Sequence, residues 1–263
     1  MRAPLRLLLA AAVLLAAVAC RPPEANPLAE WSASPNQDAR RPVMVILHHT
    51  AGSSLESALK TLKTANSGGP VSSHYLLGRD GRLVQLVLES RQAWHAGGGS
   101  WGPYRDVNAI SIGIEIDNNG FEPFPEPQIQ ALITLLKDIA GRYKRMSPRM
   151  VLGHADVDPV RKVDPHPQFP WKRLADAGLG LWPQGELVEP PAGFDPWLAL
   201  GRIGYPLKDP TATLRAFHIH YRATDAGELD DVDRKLLFNL EQQITPRPPA
   251  PPAPEPPAEP ATR

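Results

Sequence analysis

The 263-residue sequence has one cysteine, no excess of charge of either sign and, past its first twenty residues, no long apolar run. A lone cysteine, Cys20, excludes an intramolecular disulfide. Twenty-eight basic residues against twenty-eight acidic ones leave no positive surplus, so the composition argues against a nucleic-acid partner. No segment recurs at solenoid length, which excludes a repeat array. What remains, at 42% hydrophobic residues, is enough for one sizeable domain and a small companion, expected as a monomer.

The ends differ from the middle. "MRAPLRLLLAAAVLLAAVAC" places Arg2 and Arg6 before an apolar run from Leu7 to Ala19, too short to span a bilayer and suited to an export signal. Cys20 directly after Ala17-Val18-Ala19 resembles a bacterial lipoprotein cleavage box, which would make it the lipid-modified first residue of a membrane-anchored chain. An ordinary A-x-A cleavage site with an incidental cysteine is the alternative. Residues 21–41 are polar and Pro-rich, expected as a flexible tether, and 246–263 form a Pro-Ala-Glu tail without apolar surface to bury.

Between these ends the hydrophobic period switches repeatedly. Val43 to Leu47 predict a buried strand, and Leu55, Leu59 and Leu62 a helix. Two apolar runs around Asp80-Gly81 predict a hairpin. "NAISIGIEID" alternates strictly, with Ile110, Ile112, Ile114 and Ile116 on one face and Ser111, Gly113, Glu115 and Asp117 on the other. Ile129, Leu132, Ile133, Leu136, Ala140 and Tyr143 make one stripe of a helix opened by Pro127. "RMVLGH" is a final short strand. Strands interleaved with helices predict an α/β domain over 42–183, a mixed central β-sheet flanked by helices. Residues 194–245 predict three short helices, through Trp197 and Leu200, then Leu214, Phe217 and Tyr221, then Val232, Leu236 and Leu240. That unit is expected to be a small all-α C-terminal domain, too small for chemistry of its own.

Groups able to bind metal or protons gather at the strand ends. A catalytic zinc takes three His or carboxylate ligands and leaves a fourth position for water. His48 and His49 end the first strand, His154 ends the last, and Asp164 follows in the loop "ADVDPVRKVDPHPQFPW". Alternation puts His48 with Met44 and Ile46, and His49 with Val45 and Leu47, without choosing between them. Glu115, beside the small Ser111 and Gly113, is expected in a depression where a water-activating base has room. Lys162, two residues before Asp164, is placed to stabilise an oxyanion. Together they predict a metal-assisted hydrolase with one Zn2+ per chain.

"ILHHTA", "SSHYLLGRDGRLVQLV", "AWHAGGGSW", "SIGIEI" and "GHADVDPVRKVDPHPQFPW" resemble, in order and spacing, the motifs of the type 2 N-acetylmuramoyl-L-alanine amidases, in particular the lipoprotein amidases of Gram-negative bacteria. Peptidoglycan recognition proteins are more distant relatives of the same fold. The resemblance covers about 40–183, and "ALGRIGYPL" and "AFHIHYRA" resemble a peptidoglycan-binding unit. It implies zinc ligands at His48, His154 and Asp164, thereby choosing His48 over His49. It further implies a catalytic Glu115, an oxyanion-stabilising Lys162, and a substrate cleft lined by His74, Trp94 and His95, with a packing or hydrogen-bonding role as the alternative for those three. After Asp164-Pro165 the family commonly has glycine. Here His166 is expected to crowd the cleft, contact the peptide or compete for the metal.

The implied substrate is peptidoglycan or its muropeptide fragments, cut between the lactyl group of N-acetylmuramic acid and L-alanine. The implied location is the periplasmic side of the outer membrane. The alternative is a non-catalytic peptidoglycan-binding lipoprotein of the same fold, for which loss of a ligand or catalytic group is expected. All five positions are filled.

Overall fold

The computed structural model describes residues 24–39 and 42–245. The leader with Cys20, the first part of the tether and the Pro-rich tail from 246 lie outside the described residues. Among the described residues, no helix is long and apolar enough to cross a membrane.

A six-stranded mixed sheet forms the middle of the protein. In chain order its strands are β1 (Glu30–Trp31), β3 (Met44–His49), β6 (Tyr75–Leu77), β7 (Leu83–Gln85), β9 (Ser111–Ile116) and β10 (Val151–Gly153). Their order across the sheet is β1-β7-β6-β9-β3-β10. Only the hairpin β6–β7 pairs antiparallel, and the other four pairings are parallel. The expected mixed sheet flanked by helices is therefore present.

The two faces of the sheet follow from side-chain alternation. Val45, Leu47, Ile112, Ile114 and Ile116 pack on one side against α3 (Glu126–Arg142) through its Ile129, Leu132, Leu135, Leu136 and Ile139, in one cluster with Trp171 and Leu174 of α5 (Trp171–Asp176). The buried stripe is turned from the expected one, since Ile133 and Tyr143 sit at its margin and Leu135 and Ile139 at its centre. Met44, Ile46 and Leu152 face the other way.

That second face is covered in two pieces. At the β6 side, α1 (Leu55–Lys63) lays Leu55, Ala58 and Leu62 over Leu76 and Val84. Its start is capped by the Ser54 hydroxyl, which accepts from the Ser57 amide at 3.2 Å. At the β3–β10 side, the C-terminal helices α6 (Pro196–Ile203), α7 (Pro210–Tyr221) and α8 (Asp231–Ile244) bring Leu200, Phe217 and Leu237 into one continuous cluster with Met44, Ile46 and Leu152. Each of these helices opens on a capping aspartate, Asp195, Asp209 and Asp230, worth about 1 kcal/mol apiece. Val232, expected inside, is exposed. Between the two coverings, the polar side of β9 is left to a cleft.

Three local departures matter for the site. The tether expected over 21–41 contributes β1 to the sheet edge and β2 (Gln37–Ala39), which pairs with β8 (Arg91–Ala93). Asn26 anchors it: its amide donates to Gln85 Oε1 at 2.7 Å and its side chain to Asp138 Oδ2 at 2.8 Å. Second, the strand expected from Asn108 begins only at Ser111. The residues before it form a helical turn, α2 (Val107–Ile110), capped by Asp106. Ile110 thus leaves the isoleucine row and packs against the other cluster. Third, His154 does not end β10 but opens a one-turn helix, α4 (His154–Val157).

Candidate active site

Parallel pairing of β3 with β9 sets His48 directly beside Glu115, as it sets Ile46 beside Gly113 and Met44 beside Ser111. Paired residues point to the same face, so His48 and Glu115 both enter the uncovered strip. His49 turns to the opposite face, where its Nδ1 accepts from the His166 amide at 3.2 Å.

His154 and Asp164 arrive from the next element. The turn α4 starts as β10 ends, and the amide of Ala155 donates to the carbonyl of Asp164 at 2.8 Å, folding the loop back over the strand ends. His48 Nδ1 and His154 Nδ1 then stand 2.9 Å apart, and Asp164 Oδ2 lies 3.2 Å from each. These atoms form the one cluster of three potential metal ligands among the described residues.

The triangle fits a cation better than it fits a hydrogen-bond network. One proton can bridge only one of its three edges at a time, which leaves lone pairs facing each other on the others. Donors bound to one tetrahedral zinc stand roughly 3.3 Å from one another, close to the spacing found. Burial, reinforced by His154, lowers His48 to about 4 against the pull of Asp164, so the imidazole is neutral, the form that ligates. Burial alone would raise Asp164, but His154 and His48 outweigh it and hold the carboxyl well below the usual range.

Glu115 is the acid–base candidate. Burial, with repulsion from Asp164, pushes its carboxyl up to about 8, opposed by Lys162. Its Oε2 is buried without a hydrogen-bond partner among the described residues and borders the cleft. Lys162 also lines the cleft and, among the described residues, makes no ion pair with the neighbouring aspartates. The cleft has a volume of about 750 Å³ and is lined from this centre past Trp94 and His95 to Thr61 and Leu62 of α1 and the small hairpin of β4 (Ala65–Asn66) and β5 (Gly69–Pro70).

Two residues expected in the cleft are not there. His74 has no exposed surface; its Nδ1 accepts from the Gly113 amide and its Nε2 lies 2.9 Å from the Arg91 carbonyl, which ties β6, β9 and β8 together. His166 is 5% exposed, stacks on Phe124 and engages the Gln168 amide and the Glu122 carbonyl, so its ring is occupied outside the cleft. The depression expected beside Gly113 is occupied by the His95 ring: a Cβ at Gly113 would stand 2.4 Å from it.

Sequence reading missed Asn108 and Asp156. Asn108 Oδ1 accepts from the amides of both His95 and Ala96. Asp156 accepts from the Gly153 amide, the Tyr205 hydroxyl and the His220 ring, joining the turn that carries His154 to α7. An aspartate two residues after a candidate ligand, with a buried tyrosine and histidine downstream, leaves no periodic signal.

Residues 38–167 match the family described as N-acetylmuramoyl-L-alanine amidase. The chain is 38% identical to the N-acetylmuramoyl-L-alanine amidase AmiD of Escherichia coli K12, over 69% of this chain and 75% of that one. Its fold is similar to the crystal structure of AmpDh3 from Pseudomonas aeruginosa (TM-score 0.70, 32% identity, 81% of this chain and 95% of that one). It is also similar to E. coli AmiD solved with the substrate anhydro-N-acetylmuramic acid-L-Ala-D-γ-Glu-L-Lys (TM-score 0.67, 33% identity, 86% and 93%). With that identity sustained over more than two thirds of the chain, on a shared fold, this protein belongs to the N-acetylmuramoyl-L-alanine amidase family.

Proposed function

We propose that this enzyme is a zinc-dependent N-acetylmuramoyl-L-alanine amidase that hydrolyses the amide between the lactyl group of N-acetylmuramic acid and the L-alanine of the stem peptide. The observation that carries the reading is the convergence of His48, His154 and Asp164 on one point, with Glu115 in register beside His48.

In this reading His48, His154 and Asp164 hold the ion. Zinc bound there supplies the Lewis acidity that lowers the pKa of water and polarises a carbonyl. Glu115, whose carboxyl is shifted toward neutrality, takes the proton of the attacking water and returns it to the leaving amine of L-alanine. Lys162, at the cleft wall, stabilises the oxyanion of the tetrahedral intermediate. Trp94 and His95 border the space for the muramyl and peptide groups. AmiD and AmpDh3 complexes with anhydro-muramyl peptides support muropeptides as the substrate class.

The same reading makes Cys20 the lipid-bearing residue and places the enzyme on the periplasmic side of the outer membrane. It also gives the helices of 194–245 a share in holding peptidoglycan. Retention in the membrane fraction, lost with Cys20→Ser, tests the anchor.

Mass spectrometry of peptidoglycan and anhydro-muropeptides digested by the protein tests the activity. Release of intact stem peptides starting with L-alanine is expected. Unaltered glycopeptide together with binding to the wall would instead identify a non-catalytic receptor.

A further inference from the structure

The hydrogen bonds behind His48 run in one consistent direction. The Val107 carbonyl can only accept, and Ser111 Oγ lies 2.5 Å from it, so the hydroxyl donates its single hydrogen there. Ser111 Oγ is then an acceptor for His95 Nε2, 3.2 Å away. A neutral imidazole with its proton on Nε2 has a bare Nδ1. His95 Nδ1 is 3.0 Å from His48 Nε2, which must therefore be the donor. His48 Nδ1 is left unprotonated, and it is this atom that faces His154 Nδ1 and Asp164 Oδ2.

Several features hold this chain of bonds in place. Asn108 Oδ1 fixes the backbone of His95 and Ala96. Gly113, lacking a Cβ, lets the His95 ring lie against β9, where any other residue would collide with it. The rings of His48 and His95 meet edge to face, 5.1 Å apart. Both ring nitrogens of His95 are engaged by the protein, so only the rest of its surface is available to a substrate.

We propose that His95, backed by Ser111 and the Val107 carbonyl, is a positioning residue that selects the Nε2–H tautomer of His48 and so presents His48 Nδ1 as a lone-pair donor to the metal. Ligating histidines generally use their second nitrogen this way, with a carboxylate, carbonyl or water as the partner. Here the partner is an imidazole whose own tautomer is set one bond further back. The inference rests on the zinc reading and adds to it a role for His95 other than lining the cleft.

Nitrogen-15 NMR of the zinc-loaded full chain, with histidine labelled, reads the protonation of each ring nitrogen. His95 is expected to carry its proton on Nε2 with Nδ1 bare. A His95 protonated on Nδ1, or on both nitrogens, overturns the proposal. Zinc affinity, measured by competition with a chromophoric chelator, gives a second reading. His95→Ala should weaken binding about ten- to a hundredfold. His95→Asn, whose side-chain oxygen falls near the place of Nδ1, should stay within a few-fold of wild type. Equal losses in both variants, or none in His95→Ala, sink the relay while leaving the metal site standing. If the wild-type chain takes up no zinc, or His48→Ala takes it up as tightly, the metal reading fails and the relay falls with it.

Discussion

Asp156 Oδ2 lies 2.7 Å from His220 Nδ1, and neither residue has more than 4% of its surface in solvent. The contact joins the first turn after β10, which carries His154, to the middle of the C-terminal helices. The His220 ring stacks on Trp171 with centroids 3.8 Å apart, and Asp156 Oδ1 takes the Tyr205 hydroxyl at 2.8 Å. Replacing Asp156 by alanine strands three donors in a dry place, the amide of Gly153 included. A loss of at least about 3 kcal/mol is expected, read as a lower denaturation midpoint.

Glu115→Gln keeps the shape of the cleft and removes the proposed proton acceptor. Turnover of a muropeptide should fall by about 10²- to 10⁴-fold, with zinc content unchanged. Near-wild-type turnover would remove Glu115 from the mechanism. Lys162→Met should lower kcat far more than it alters KM, because the charge proposed for it is needed most when the oxyanion forms.

The pH dependence of stability in the metal-free protein has a definite sign. Glu115 is raised from 4.5 to about 8, chiefly by burial, so the folded chain keeps a proton that the unfolded chain gives up. Its contribution is full at low pH and declines as pH rises through about 8. His48 is lowered from 6.5 to about 4, and His49 and His166 are also lowered, all mainly by burial. They act oppositely, adding stability as pH rises toward 6.5 and little beyond. Glu115 therefore stands clear of these histidines between pH 6.5 and about 8. Denaturant midpoints should fall with pH across that window in the wild type and stay flatter in Glu115→Gln.

Asn26 tests whether the N-terminal segment belongs to the fold. Its side chain donates to Asp138 and accepts from the Leu28 amide. Asn26→Ala is expected to cost about 1–2 kcal/mol and to open residues 24–39 to limited proteolysis. Unchanged protease resistance would show that the remaining contacts of β1 and β2 suffice.

Much of the architecture is written in side-chain period. Alternation in "VMVILHH" and "SIGIEI" puts their apolar residues on faces that the structure does bury, and α1, the hairpin and the position of α3, though not its buried stripe, agree with the periodic pattern. What periodicity conveys is local. It misplaced the start of β9, because Asp106 caps a helical turn that absorbs Asn108 to Ile110 from an alternating run. It also took the segment ahead of β3 for a tether, because two-residue and three-residue strands on a sheet edge need almost no apolar residues of their own.

The sequence by itself determined the residue types, the order of the elements and which neighbours along a strand share a face, since those follow from backbone geometry and hydrophobic burial. Only the tertiary structure decided which histidine is where. His48 rather than His49 meets Glu115, His154 and Asp164 because β3 pairs in register with β9, and because α1 and the C-terminal helices leave that strip of the sheet uncovered. His74 and His166 were lost from the cleft for the same reason: their rings are used by neighbouring backbone groups that come close only once the chain has folded.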